Sequence, residues 1–147
     1  MSTVAAAALA AVGTRFRLHG RGADGLDCVG LVALALRAGG YDGEVPTGYS
    51  LRGGDWSALD RLLVRVERAE PGDVLLMAAG PGQLHLGIKT AAGFVHADAG
   101  LRRVVERPGA PPWPILGVWR MPILGVWRMP ILGGWRMPIL GGWRMEG

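Results

Sequence analysis

Cysteine is scarce: Cys28 is the single one in 147 residues. No intramolecular disulfide can form, so the fold is not expected to depend on an oxidising compartment. A lone cysteine is either a small buried hydrophobe or a reactive thiol. Long apolar runs are missing too. None reaches the about 18 residues that a membrane-crossing helix needs, so no stable membrane insertion is expected. Metal-ligand spacing is also missing. Three scattered histidines and one cysteine give no short-spaced ligand pair, so neither a metal nor another cofactor is expected. A charge excess is nearly absent from the body, where residues 1–113 hold 12 Lys/Arg against 11 Asp/Glu. Residues 114–147 hold four Arg and one Glu, so most of the net charge of +4 lies there. A nucleic-acid binder carries its basic face on the folded body, so nucleic acid is not an expected partner. The N-terminus lacks a basic region before its short apolar stretch, so no signal peptide is expected and synthesis in the cytoplasm is.

The length fits one domain with one real core. Ser2 or Thr3 followed by an alanine run predicts a capped helix over about 3–12, stopped at Gly13. A loop rich in Gly and Arg spans 13–27. A second helix starts near Cys28 and stops at Gly39-Gly40, where glycine permits a left-handed cap. After a Gly-rich loop with Pro46, Asp55 caps a helix placing Leu59, Leu62, Leu63 and Val66 on one face. Pro71-Gly72-Asp73 is a turn, with Asp73 as a turn residue. Strands are expected over Val74–Ala78, Leu84–Thr90, Gly93–Ala97, Leu101–Glu106 and Ile115–Trp119. Helices first and antiparallel strands second make an α+β chain.

The C-terminal region is a tandem repeat. PILGVWRM occurs at 114–121 and 122–129, and PILGGWRM at 130–137 and 138–145. The division is therefore a domain over 1–121 and a repeat tail over 122–147. One copy, 114–121, is expected to be the last strand. A period of eight keeps the same residues on the same strand face, so extra copies could compete for the same edge, extend into solvent or pair with another chain. Exposed Ile, Leu and Trp there are an aggregation hazard. The alternative is a Trp/Arg arm for an anionic envelope surface, which Pro and Gly disfavour as a helix.

Three segments carry chemistry. The first, LDCVGLVALAL, puts Cys28 in the first turn of an apolar helix. The helix dipole and free N–H groups there stabilise a thiolate, and the same amides suit an oxyanion. A buried core cysteine fits the local sequence equally well. The second, QLHLGIK, alternates. If Leu84, Leu86 and Ile88 face the core, His85 faces the other side. The third is FVHAD. With Ala91-Ala92 as a two-residue connection, Thr90 pairs with Gly93, His85 lies opposite Asp98, and His96 is the diagonal neighbour on the same face. That spacing puts a base, His85, beside an orienting group, His96 or Asp98, as thiol chemistry needs.

The ordered segments DCVGL, PGDVLL, HLGI and FVHA resemble the NlpC-type peptidases, papain-like bacterial enzymes that cut peptidoglycan stem peptides. The resemblance covers about residues 3–120. It implies Cys28 as nucleophile, His85 as general base and His96 as third polar residue, with the cysteine helix packed on a small antiparallel sheet. The segment GTRFRLHG and the DCxGL form are similar to the phage-like branch, encoded with tail genes of phages and gene transfer agents. The implied partners are the stem peptide and phage-like tail proteins. The implied place of action is the cell wall or periplasm, with a particle component as one version.

Two positions depart from the family. Phe16 stands where many members have a tyrosine whose hydroxyl lies near the nucleophile. Val29 stands where many have a serine that helps hold the substrate. No cell-wall-binding repeat domain is expected beside the catalytic segments. Phe16, His19, Asp27 and Asp98 are the oxyanion- or substrate-adjacent candidates. His19 reads first as an exposed loop histidine and second as lining the cleft; Asp27 reads first as the cap of the Cys28 helix and second as substrate-facing. Tyr49 and Trp56 would shape a substrate wall or anchor the loop. The leading expectation is a thiol endopeptidase. The alternatives are an amidase or acyl-transfer enzyme on another wall amide, and a non-catalytic module of a tail or envelope complex.

Overall fold

A computed structural model describes residues 2–43 and 57–122. Pro46, Tyr49, Asp55, Trp56 and the repeat copies beyond Pro122 lie outside the described residues.

Helix α1 spans Thr3–Ala10, and the Ser2 hydroxyl caps it by accepting the Ala5 N–H. The chain leaves it through Gly13, at φ +95°, whose N–H donates to the Val104 carbonyl. The loop before Cys28 contains a small hairpin that the sequence did not signal, β1 (Arg21–Gly22) with β2 (Gly25–Leu26). Helix α2 spans Cys28–Ala38 and ends at Gly39, with Gly40 at φ +99°. Val29, Leu31, Val32, Ala35 and Leu36 are buried, so its apolar face lies in the core. Gly30 is required by a close approach: a Cβ there would lie 2.0 Å from the Gly20 carbonyl oxygen.

Helix α3 covers Ser57–Leu62 and buries Leu59. Val66 does not continue that helix face, contrary to the periodicity. Val64–Val66 form strand β3, because Arg120, Trp119 and Val118 provide a pairing partner. Tertiary pairing outweighs a helical pattern that ends in two β-branched residues.

The remaining strands are β4 (Val74–Gly80), β5 (Gln83–Lys89), β6 (Gly93–Asp98), β7 (Arg103–Pro108) and β8 (Ile115–Arg120). The expected Leu101–Glu106 strand thus begins later and ends later. The Leu101 N–H donates to Asp98 Oδ1, and Arg102 takes φ +63°, so 98–102 is a turn. The antiparallel sheet has the order β3-β8-β4-β5-β6-β7. The first repeat copy is therefore an interior strand, between β3 and β4, rather than an edge. Trp119 on β8 is fully buried and donates its Nε1–H to Asp60 at 2.8 Å. Arg120 donates through Nε and a terminal nitrogen to both oxygens of buried Asp73, at 2.9 and 2.8 Å. Asp73 thus does more than turn the chain.

The larger apolar cluster joins α1 and α2 to the face carrying Val74, Leu76, Leu86, Ile88, Val95 and Trp119. A smaller one, Leu75, Met77, Phe94 and Val118, occupies the other face. Alternation along β5 and β6 puts His85 and His96 on this second face, because Leu86, Ile88 and Val95 face the helices.

Candidate active site

The start of α2 is built by Asp27. Its extended backbone and its Oδ1, which accepts the Gly30 N–H at 2.8 Å, make it the N-cap. Asp27 also takes the His19 N–H at 2.8 Å and the Arg21 guanidinium at 2.9 Å. Both oxygens are engaged in holding the loop, which favours the capping role over a substrate-facing one. His19 is exposed and sits at φ +64°, a left-handed conformation held by that bond to Asp27. Phe16 is half-buried against the larger cluster, and its backbone bridges Leu26, two residues before Cys28.

Cys28 is the first residue of α2 and is half-buried. Backbone amides of Leu86 on β5, of Val29 and of Cys28 itself lie near the sulfur. Burial pushes the thiol above its ordinary value, and the Asp27 carboxylate adds to this; the three amides act in the opposite direction. The net result is a thiol that rests protonated at neutral pH.

The β5–β6 register is Ile88 opposite Val95 and Lys89 opposite Phe94, with the Thr90 N–H bonded to the Gly93 carbonyl at 2.9 Å. This is the two-residue connection expected from spacing. It brings His85 Nε2 to 2.8 Å from His96 Nδ1, with the rings nearly perpendicular at 87°. Asp98 follows, its Oδ2 4.0 Å from His96 Nε2. His96 is 2% exposed, and its Nε2 is buried without a hydrogen-bond partner among the described residues. Burial pushes His85 down to about 4; neighbouring His96 lowers it further, while Asp98 opposes. His96 is lowered too, chiefly by burial. Both rings are therefore neutral at neutral pH.

Neutrality leaves one proton on each ring. For His85 to keep a free basic nitrogen away from His96, its Nε2 must carry the hydrogen donated to His96 Nδ1. His96 then carries its own proton on Nε2, directed at Asp98. In that tautomer the order is His85, His96, Asp98, and Nδ1 of His85 carries no proton.

Trp113 completes the wall, its ring centroid 5.8 Å from His85 and 5.6 Å from His96. Arg107 lies over the Trp113 ring at 5.5 Å. Sequence reasoning passed over Trp113 because PPWP reads only as a turn. It also passed over the Leu86 amide, since a backbone donor has no sequence signature. His85, His96 and Asp98 are gathered directly. Cys28 meets them through β5, where Leu86, whose amide lies near the sulfur, follows His85 in the chain. Among the described residues, no group of three or more His, Cys, Asp or Glu side chains could hold a metal ion.

No family model and no curated protein matches the chain. Solved structures do. NlpC1 from Trichomonas vaginalis superposes with a TM-score of 0.62 at 20% identity, over 80% of this chain and 43% of that one. NlpC2 from the same organism gives 0.62 at 19% identity, over 80% and 46%. The NlpC/p60 domain of the peptidoglycan hydrolase SagA gives 0.56 at 22% identity, over 81% of this chain and 97% of that domain. The chain spans less than half the length of the two T. vaginalis proteins and nearly all of the SagA domain. At these identities the likeness defines the fold, which is the papain-like α+β fold of NlpC/p60 domains.

Proposed function

We propose that this chain is a cysteine peptidase that hydrolyses peptide bonds in peptidoglycan stem peptides. The observation that carries the proposal is the 2.8 Å His85–His96 contact, made from the strand whose next residue, Leu86, has its amide near the Cys28 sulfur. In this reading Cys28 gives up its proton to His85 Nδ1. The thiolate attacks the scissile carbonyl, forming a C–S bond, and the amides at the start of α2 stabilise the oxyanion. His85 then protonates the leaving amine as the C–N bond breaks. Water, deprotonated by His85, releases the acyl group and restores the thiol. His96 keeps His85 in the required tautomer throughout. The likeness to the SagA peptidoglycan-hydrolase domain supports the substrate class. The GTRFRLHG and DCVGL segments support a phage-like, tail-associated setting, with synthesis in the cytoplasm and action at the wall.

The test is digestion of purified peptidoglycan by the protein and by Cys28→Ala, read by mass spectrometry. New termini inside the stem, absent with Cys28→Ala, are the expected result. Release of intact stems would instead establish an amidase. A second reading, a non-catalytic module of a tail or envelope complex, draws on Phe16 and Val29. It would be established by a Cys28 no more reactive toward a thiol reagent than a free thiol and unchanged in His85→Ala.

A further inference from the structure

Beside the candidate site runs an open groove of about 760 Å³, lined in part by Arg15, Phe16, Leu101, Arg102 and Arg103. Two backbones that touch each other carry its cationic groups. Arg15 bridges Arg103, and the Phe16 N–H donates to the Arg102 carbonyl at 2.9 Å. No carboxylate residue is among the lining residues. Four arginines outside the groove face carboxylates: Arg17 faces Asp24, Arg21 faces Asp27, Arg65 faces Asp60 and Arg120 faces Asp73. Arg102 holds φ +63°, a conformation that side chains with a Cβ adopt rarely, so the turn presents it against a local preference. Leu101, 55% exposed, and half-buried Phe16 add apolar surface between the guanidiniums.

The groove adjoins both arms of the site. Ala99, also on its wall, follows Asp98, and Phe16 bridges Leu26 just before Cys28. A lining of three arginines with Phe16 and Leu101 suits a ligand with free carboxylates and a short carbon frame. We propose that this groove binds the carboxylate-bearing segment of an acidic peptide and delivers it to Cys28. The delivery step rests on the peptidase reading; the binding step does not. Recognition is then by the peptide's negative charge rather than by the hydrogen-bonding groups that Phe16 and Val29 lack.

Fluorescence anisotropy on the full chain carrying Cys28→Ala tests this. The probes are a labelled short peptide with two glutamate carboxylates, its fully amidated counterpart, and a single-stranded oligonucleotide of equal charge. The acidic peptide is expected to bind about tenfold tighter than the amidated one, more weakly as salt rises, and about tenfold more weakly after R102Q/R103Q. Arg15→Gln is a second variant with the same expected direction, should the double variant melt early. Equal binding of acidic and amidated peptides, or tighter binding of the oligonucleotide, overturns the inference. The peptidoglycan digestion reads the other question. Digestion without charge-dependent binding removes this inference alone, and charge-dependent binding without digestion removes the peptidase reading alone.

Discussion

Burial of His85 ties folding stability to acidity. The ring is half-buried, and its pKa falls from 6.5 to about 4. Between these values the unfolded chain binds a proton that the folded chain excludes. Stability therefore rises with pH across this window. The contribution is fully present above pH 6.5 and is lost as pH falls toward 4. A displacement of this size corresponds to about 3 kcal/mol, trimmed to about 2 kcal/mol by residual solvent screening. The perturbation is His85→Gln, with urea unfolding followed by tryptophan fluorescence at a series of pH values from 7.5 to about 4. Only the change with pH matters, since the substitution shifts the baseline for other reasons. Wild type is expected to lose about 2 kcal/mol more than the variant over that range. His96 titrates in the same direction and stays in both proteins, so it leaves a smaller slope in the variant. Equal slopes in the two proteins would refute the burial argument for His85.

If His85 is the base, the acid limb of kcat/KM falls near pH 4 to 5, well below an ordinary histidine; a limb at 6.5 or above contradicts it. Trp119→Ala empties a fully buried site and loses the bond to Asp60, and should cost about 3–5 kcal/mol in a chain ending at Pro122. The GVWR segment of β8 recurs at 125–128, so the same substitution should cost less in the full chain; equal melting-temperature losses would show that the second copy cannot serve. Gly30→Ala drives a methyl into the Gly20 carbonyl, and a lower melting temperature together with a more exposed Cys28, read by thiol-reagent kinetics, is expected.

Much of this arrangement is legible in the residue order, for identifiable reasons. Asp27 is a short polar side chain directly before an apolar helix, and capping is a local act. The His85–His96 pairing follows from a two-residue connection and strand parity, also local. Failures occur where distant segments decide. Val66 follows a helical spacing but pairs with Val118, more than fifty residues on. Nothing in PILGVWRM says that its strand inserts between β3 and β4. The arginines of the groove converge because residues 13–16 cross the turn after β6. Such crossings leave no periodic trace.

The interior place of β8 also sets an order of events. β3 and β4 are complete by Gly80, yet the strand that joins them is Ile115–Arg120. A chain emerging from the ribosome therefore carries two open strand edges until its last described strand arrives. Closing them requires a contact of long sequence separation, which is slow to form. The C-terminal strand works as a latch: any protease or premature stop acting before residue 115 leaves those edges free to pair with other chains.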